Sequence, residues 1–299
     1  MKKYIIITLI LFVTVMVFAE VSGENGWQML KMVTGPTASA QAGTGVFSND
    51  YDAFMVWINP ASSSLIKRKI LTVGYNYWLM DTSVSSVAYI SSKGKLGTGV
   101  LFKYLDYGKL DRRDEVGDDI GEFHPIDLLM NSNFSYRINP NHYLGVNISL
   151  LYERIDTASS YGISGDLGYL YLTPIKGLKV SAVIKHLGLT SKMEDESIKL
   201  PATFDFSIIQ DYRIKNIPLS SEIKIKKYFD DDEIKVNFGL NANFYKVFTF
   251  RAGYKLNYSS QNISTGFGIN VKKIKFDYTF IPFDSDLGDV HQVGVTYMF

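Results

Sequence analysis

An all-β fold, an up-and-down antiparallel transmembrane β-barrel of about 14 strands with its N-terminal segment inside the lumen, is the architecture this 299-residue sequence predicts. Three observations carry that prediction. Apolar and polar residues alternate with period two in one segment after another, the chain opens on an export signal, and its connections alternate between short and long.

The export signal comes first. Lys2 and Lys3 precede the apolar run Tyr4 to Phe18, and Val17-Phe18-Ala19 offers cleavage before Glu20, so residues 1–19 read as a secretory signal peptide. The run is short for a membrane helix, which needs about 20 apolar residues, and nothing after Ala19 resembles a second one. A chain exported in this way is either soluble outside the inner membrane or crosses a membrane as a barrel. The 20 Tyr and 19 Phe, at a mean hydropathy near zero, fit an apolar belt bordered by aromatic girdles around a polar interior. The absence of Cys excludes disulfides, thiolate metal sites and sulfur redox chemistry. A formal net charge of +1 gives no case for nucleic acid or another polyanion as partner.

Residues 20–66 follow a different pattern. Small residues and turn formers dominate Trp27 to Ile66, and Gly35, Gly43, Gly45 and Pro60 interrupt any long helix or strand. Asp52 is placed to cap a short helix over Ala53 to Ile58, which ends before Asn59-Pro60 because a residue preceding proline disfavours the helical region. For Asn59-Pro60-Ala61 two readings stand: an ordinary turn, or a tie in which the Asn59 side chain hydrogen-bonds to the barrel wall where water is scarce.

Ala42-Gly43-Thr44-Gly45-Val46-Phe47, then Asp52-Ala53, then Asn59-Pro60-Ala61 resemble the N-terminal plug pattern of FadL-like outer-membrane barrels, in particular the PorV/PorQ group. The acidic pair of that pattern reads Tyr51-Asp52 here, with the other acid at Asp50, and Ser62 stands where a glycine is expected. The resemblance implies residues 20–66 as a periplasmic-end hatch carrying Gly43, Gly45, Asp52, Asn59, Pro60 and Ala61, and residues 67–299 as the barrel. It also implies a kink in the wall that opens sideways to the membrane, which would match Gly97 and Gly99 of the third strand.

The candidate strands are residues 70–79, 83–91, 95–107, 128–138, 143–156, 161–173, 178–187, 201–213, 218–228, 233–245, 248–257, 262–271, 273–281 and 290–299. Most are close to the 9–11 residues, roughly, that cross a bilayer at a tilt. Short links such as Ser92-Lys93-Gly94, Asn139-Pro140-Asn141 and Lys246-Val247 alternate with long ones such as Gly108 to Asp127 and Gly188 to Leu200, as a barrel with periplasmic turns and outer loops requires. The short link Met80 to Thr82 is the exception.

The faces are clearest in residues 234–244. Ile234, Val236, Phe238, Leu240, Ala242 and Phe244 alternate with Lys235, Asn237, Gly239, Asn241 and Asn243. Lipid accepts only the first set, because a cation at the bilayer midplane costs about 2–4 kcal/mol. An open sheet edge cannot stand in lipid, so the sheet closes. Lys235, Arg251, Lys255, Lys275 and Asp277, with Glu222 and Lys224, therefore face the lumen and are expected to pair with one another or with the hatch. The last strand ends on Phe299, which resembles the signal read by the barrel assembly machinery in bacterial outer-membrane proteins.

Catalytic chemistry is not indicated. His124, His142, His186 and His291 lack metal-ligand spacing, and no nucleophile elbow, P-loop or carboxylate pair stands out, so neither an enzyme nor a cofactor is expected. Asp230-Asp231-Asp232-Glu233 and the stretch Asp111 to Glu122 read as solvated outer loops, with calcium binding the weaker reading. The expected location is the bacterial outer membrane, with its lipid and the barrel assembly machinery as partners. The leading function implied by the resemblance is binding or transport of small hydrophobic molecules. The alternatives are a PorV-like adaptor for exported surface proteins and a structural porin.

Overall fold

The computed structural model describes residues 26–45, 52–194, 196–283 and 288–299. The signal-peptide reading at 1–19 and the motif residues Val46, Phe47, Asp50 and Tyr51 lie outside them. Eighteen strands are present in chain order among the described residues: β1 Ile70–Tyr77, β2 Ser83–Lys93, β3 Leu96–Asp106, β4 Leu110–Arg113, β5 Asp119–Phe123, β6 Ile126–Asn139, β7 His142–Ile155, β8 Ala158–Leu172, β9 Leu178–Thr190, β10 Lys192–Met193, β11 Glu196–Ser197, β12 Thr203–Ile214, β13 Ile217–Tyr228, β14 Ile234–Phe244, β15 Phe248–Leu256, β16 Ile263–Val271, β17 Ile274–Pro282 and β18 Asp289–Met298.

Fourteen of them form a closed antiparallel barrel in which neighbours in space are neighbours in sequence, apart from β4–β5 and β10–β11, which form small hairpins of their own. Closure is made by β1 against β18, in register from Ile70 opposite Met298 to Tyr77 opposite His291. Closure leaves the sheet no open edge, as hydrocarbon demands. No described helix is long and apolar enough to cross a membrane, which says nothing about a barrel.

The two faces of the wall invert the arrangement of a soluble protein. Arg251 is fully buried and its neighbour Phe250 is 43% exposed, and along β14 Asn237, Gly239 and Asn241 point inward while Phe238 and Leu240 point out. Such an outer face is stable only against lipid. The interior differs from the expected polar lining in one sector. Val84, Ile90, Leu101, Leu105, Leu129 and Leu151, from β2, β3, β6 and β7, are buried in an apolar cluster with Trp27, Met29, Phe54 and Trp57.

Several boundaries also differ from expectation. The stretch expected as an outer loop from Gly108 to Asp127 contains the β4–β5 hairpin, held by its own ladder. Strand β8 begins at Ala158 rather than Tyr161, because Asp156 adopts φ 51° and closes a tight turn. The ladders of β3 run in register through Gly97 and Gly99 on both sides, with no bulge at either glycine. Register shifts instead between β6 and β7 near Asn139 and between β8 and β9 near Gly165. At the second of these His186 takes φ 58°, and its N–H donates to Asp166 Oδ1 at 2.8 Å.

Inside the barrel lie three one-turn helices, α1 Gln28–Lys31, α2 Pro36–Ser39 and α3 Met55–Ile58, and a 3-10 turn, Pro60–Ser62. Helix α3 is shorter than expected. Asp52 Oδ1 accepts the Phe54 N–H at 2.9 Å in a turn ahead of the helix, and the N-cap position falls to Phe54, which has no side chain to cap with.

Placing a cation on the lipid face tests the orientation. Leu240→Arg, at the middle of β14, is expected to destabilise the barrel by about 2–4 kcal/mol in bilayer unfolding measurements. An unchanged unfolding midpoint would show that Leu240 does not face hydrocarbon.

Candidate functional site

A one-turn helix is nearly all ends, and its terminal N–H and C=O groups have no partners within it. Leaving such a group buried and unpaired costs about 1–3 kcal/mol. The inner segment, residues 26–45 and 52–66, therefore depends on donors from elsewhere, and the wall supplies them. Lys103 Nζ donates to the carbonyls of Met29 at 2.8 Å and Met32 at 3.2 Å. Thr279 Oγ1 donates to Pro36 O at 2.6 Å, Ser264 Oγ to Ala40 O at 3.1 Å, and Asn237 Nδ2 to Ala42 O at 2.6 Å. On the opposite side Asn147 Nδ2 reaches Val56 O at 3.0 Å, Lys185 Nζ reaches Trp57 O at 2.7 Å, and Asn133 Nδ2 reaches Pro60 O at 2.9 Å.

The motif residues sit within this lattice. The Gly43 carbonyl accepts from Lys224 Nζ, and the Gly45 N–H donates to Glu222 Oε2 at 2.8 Å. Asn59 is fully buried. Its Nδ2 donates to Ser181 Oγ at 2.8 Å and Tyr169 O at 3.2 Å, and its Oδ1 accepts the Ala61 N–H at 2.8 Å. Ala53 meets β1, where its N–H donates to Thr72 Oγ1 at 2.9 Å.

Inward-facing glycines give the segment its room. A Cβ on Gly145 would stand 2.2 Å from the Pro60 carbonyl carbon, one on Gly168 2.2 Å from Asn59 Oδ1, and one on Gly253 2.3 Å from Ala42 N. The same holds at Gly97, where an added Cβ would stand 2.3 Å from Ser64 N, so this glycine serves close approach. At Gly99 the nearest atom would be 3.1 Å away, on Ile90 of the wall itself.

The expected lumen charges divide by depth. Arg251, Lys275 and Asp277 form one buried cluster, with Arg251 Nη2 2.9 Å and Lys275 Nζ 3.2 Å from the two carboxylate oxygens of Asp277. Lys275 also reaches Thr37 Oγ1 of the inner segment at 3.4 Å. Lys255 and Lys235 lie nearer the outer rim, around Tyr258, where Lys255 Nζ donates to Gln261 Oε1 at 2.6 Å. Lys235 turns to the loop acids Asp231 and Glu233. The backbone N–H of Glu233 holds the Asp231 carboxyl below its ordinary value; burial opposes this, and Lys235 adds to the lowering. Among the described residues no group of carboxylates and histidines is placed to hold a metal ion. Phe299 packs edge-on against Tyr297 and Tyr89 at the turn end of the barrel.

Sequence reasoning did not single out Lys103, Lys185, Asn133 or Asn147. Their signal was inward parity. Lys103 shares the parity of Gly97 and Gly99, and Asn147 shares that of Gly145.

Among the cavities of the described residues, one of interest lies at each end. The outer one, about 410 Å³, is lined by apolar side chains including Met32, Val33, Trp78 and Leu105, with Gln28, Lys31, Lys255 and Gln292 among its polar members. The other, about 680 Å³, lies at the turn end.

The family model for the type IX secretion system membrane protein PorP/SprF matches residues 81–297. No protein of curated function matches the sequence. Among solved structures the fold is similar to the CymD monoaromatic hydrocarbon channel, at 15% identity, TM-score 0.60 and coverage of 88% of this chain and 96% of that one. It is similar also to the Pseudomonas putida toluene transporter TodX (12% identity, TM-score 0.59, 94% and 98% covered). A FadL homologue of Pseudomonas aeruginosa follows (11%, 0.53, 88% and 98%). At these identities the likeness is one of fold.

Gly145 offers a direct test of the packing. Gly145→Leu is expected to push the 3-10 turn off the wall and raise the maleimide labelling rate of a cysteine placed at Ser64 by about tenfold, without loss of the barrel. Gly165→Ala, whose added Cβ meets nothing closer than 3.7 Å, is the matched control. Equal labelling in both variants would contradict the contact.

Proposed function

The chain belongs to the PorP/SprF family of type IX secretion system membrane proteins, and on that footing we propose that it is a sealed outer-membrane barrel that serves secretion through its outer loops, receiving exported surface proteins, rather than by passing solutes. Its location in the bacterial outer membrane follows from family and fold. The observation that carries the proposal is the lattice of wall donors on the carbonyls of residues 29–60, which supports reading the inner segment as a hatch fixed at many points. A mobile plug would need few such ties. The PorV/PorQ-like order of Ala42 to Gly45, Asp52-Ala53 and Asn59-Pro60-Ala61 supports the same reading. The β4–β5 hairpin, with its Lys109–Glu122 ion pair at 2.8 Å, offers an ordered outer surface for a partner. No enzymatic role is assigned.

A second reading is favoured by one feature, the apolar outer cavity, whose volume suits a small hydrophobic molecule. CymD and TodX are described as a hydrocarbon channel and a toluene transporter. In this reading the barrel binds such a molecule above the hatch.

Planar-bilayer recordings and a deletion strain separate the two. The full-length barrel is expected to be silent, removal of residues 27–65 to produce stepwise ion conductance, and the deletion strain to lose surface display of exported proteins with toluene uptake unchanged. Normal surface display together with lost toluene uptake would overturn the adaptor reading.

A further inference from the structure

A net charge of +1 conceals a segregation of charge along the barrel axis. Acids crowd the outer loops, as in Asp230-Asp231-Asp232-Glu233 and the β4–β5 hairpin, while the turns at the other end carry cations: Lys93, Arg137, Lys176, Lys215 and Lys273. Among the described residues of those turns and the strand ends beside them the side-chain carboxylate is that of Asp211, already paired with Lys179 at 2.6 Å.

The cavity of about 680 Å³ at this end is where the cations converge. Lys67, Arg68, Arg213, Lys246 and Lys272 line it, all exposed, and among the described residues none of the five has a carboxylate partner. Leu65, Ile66 and Met298 add an apolar patch to the same cavity, and Asn243 and Asn270 add amides. Like charges gathered round a concave, low-dielectric mouth reinforce one another and focus their field into it. The arrangement costs self-repulsion that an anionic occupant relieves.

We propose that this mouth is a docking site for an acidic segment of a periplasmic protein, one that combines Asp or Glu side chains with an apolar residue. Five cations share the lining of one cavity with an apolar patch, which separates them from cations scattered singly at headgroup level. The apolar patch from Leu65, Ile66 and Met298 favours a peptide over a free phosphate. The site depends on the outer-membrane placement, which puts short turns in the periplasm, and is independent of whether the outer loops receive exported proteins.

The test uses the full-length barrel in phosphatidylcholine nanodiscs and a fluorescein-labelled hexaglutamate peptide, read by anisotropy. Saturable binding is expected, weakening by about tenfold or more between about 50 and about 500 mM NaCl, with a hexalysine peptide not bound. The combined variant Lys67→Gln, Arg68→Gln, Arg213→Gln, Lys246→Gln and Lys272→Gln should lose about tenfold or more in affinity while keeping the heat-modifiable mobility of a folded barrel. Because five exposed substitutions can impair assembly, the pair Lys246→Gln and Lys272→Gln serves as a second variant, with a smaller loss in the same direction. The proposal is overturned if hexaglutamate does not bind or if neither variant weakens binding.

Discussion

Backbone groups removed from water must be paired, and in this molecule that constraint acts twice. The wall meets it by closing on itself through β1 and β18. The inner segment cannot, because it is made of single turns, so the wall's own side chains reach inward and complete its hydrogen bonds. Lys103, Asn133, Asn147, Lys185, Asn237 and Thr279 all donate to main-chain carbonyls of that segment. Their specificity is therefore for backbone position. The chain inside is read by where its carbonyls lie.

The two halves of the barrel hold the segment by different physics. On the side of β2, β3, β6 and β7 an apolar cluster buries Trp27, Phe54 and Trp57 against Leu101, Leu129 and Leu151, and area removed from water contributes most there. On the side of β13 to β17 the contact is polar, built from Lys224, Asn237, Ser264 and the Arg251–Asp277–Lys275 cluster. A buried ion cluster of this kind adds little net stability over an apolar replacement. Its effect is to fix one arrangement, because removing either partner would strand a charge. Glycines at 145, 168 and 253 let the main chain approach on both sides.

The barrel was legible because lipid and lumen impose opposite chemistry on successive residues, and β14 to β16 state that alternation without interruption. The apolar sector was not legible. Val100-Leu101-Phe102, Leu128-Leu129-Met130 and Leu150-Leu151-Tyr152 are continuous apolar runs, in which parity gives no clue to the inward residue. Gly97 was visible as an unusual strand residue, but a glycine in a strand marks either a bend or a close neighbour. The close neighbour, Ser64, is far away in sequence and shows only in the fold. The cationic mouth was hidden for another reason: single lysines in separate turns look ordinary until closure brings Arg213, Lys246 and Lys272 round one cavity.

The central claim, that the N-terminal segment is seated in the lumen by side chains of the wall, is tested most directly by a disulfide across that contact in a chain with no native cysteine. Ser63 and Ser135 face each other with their hydroxyls 2.7 Å apart, so Ser63→Cys with Ser135→Cys in intact outer membranes should cross-link near completion under mild oxidation. The wall pair Thr72→Cys with Thr296→Cys, from hydroxyls 3.0 Å apart, should do the same. Cross-linking of the wall pair alone would contradict the account.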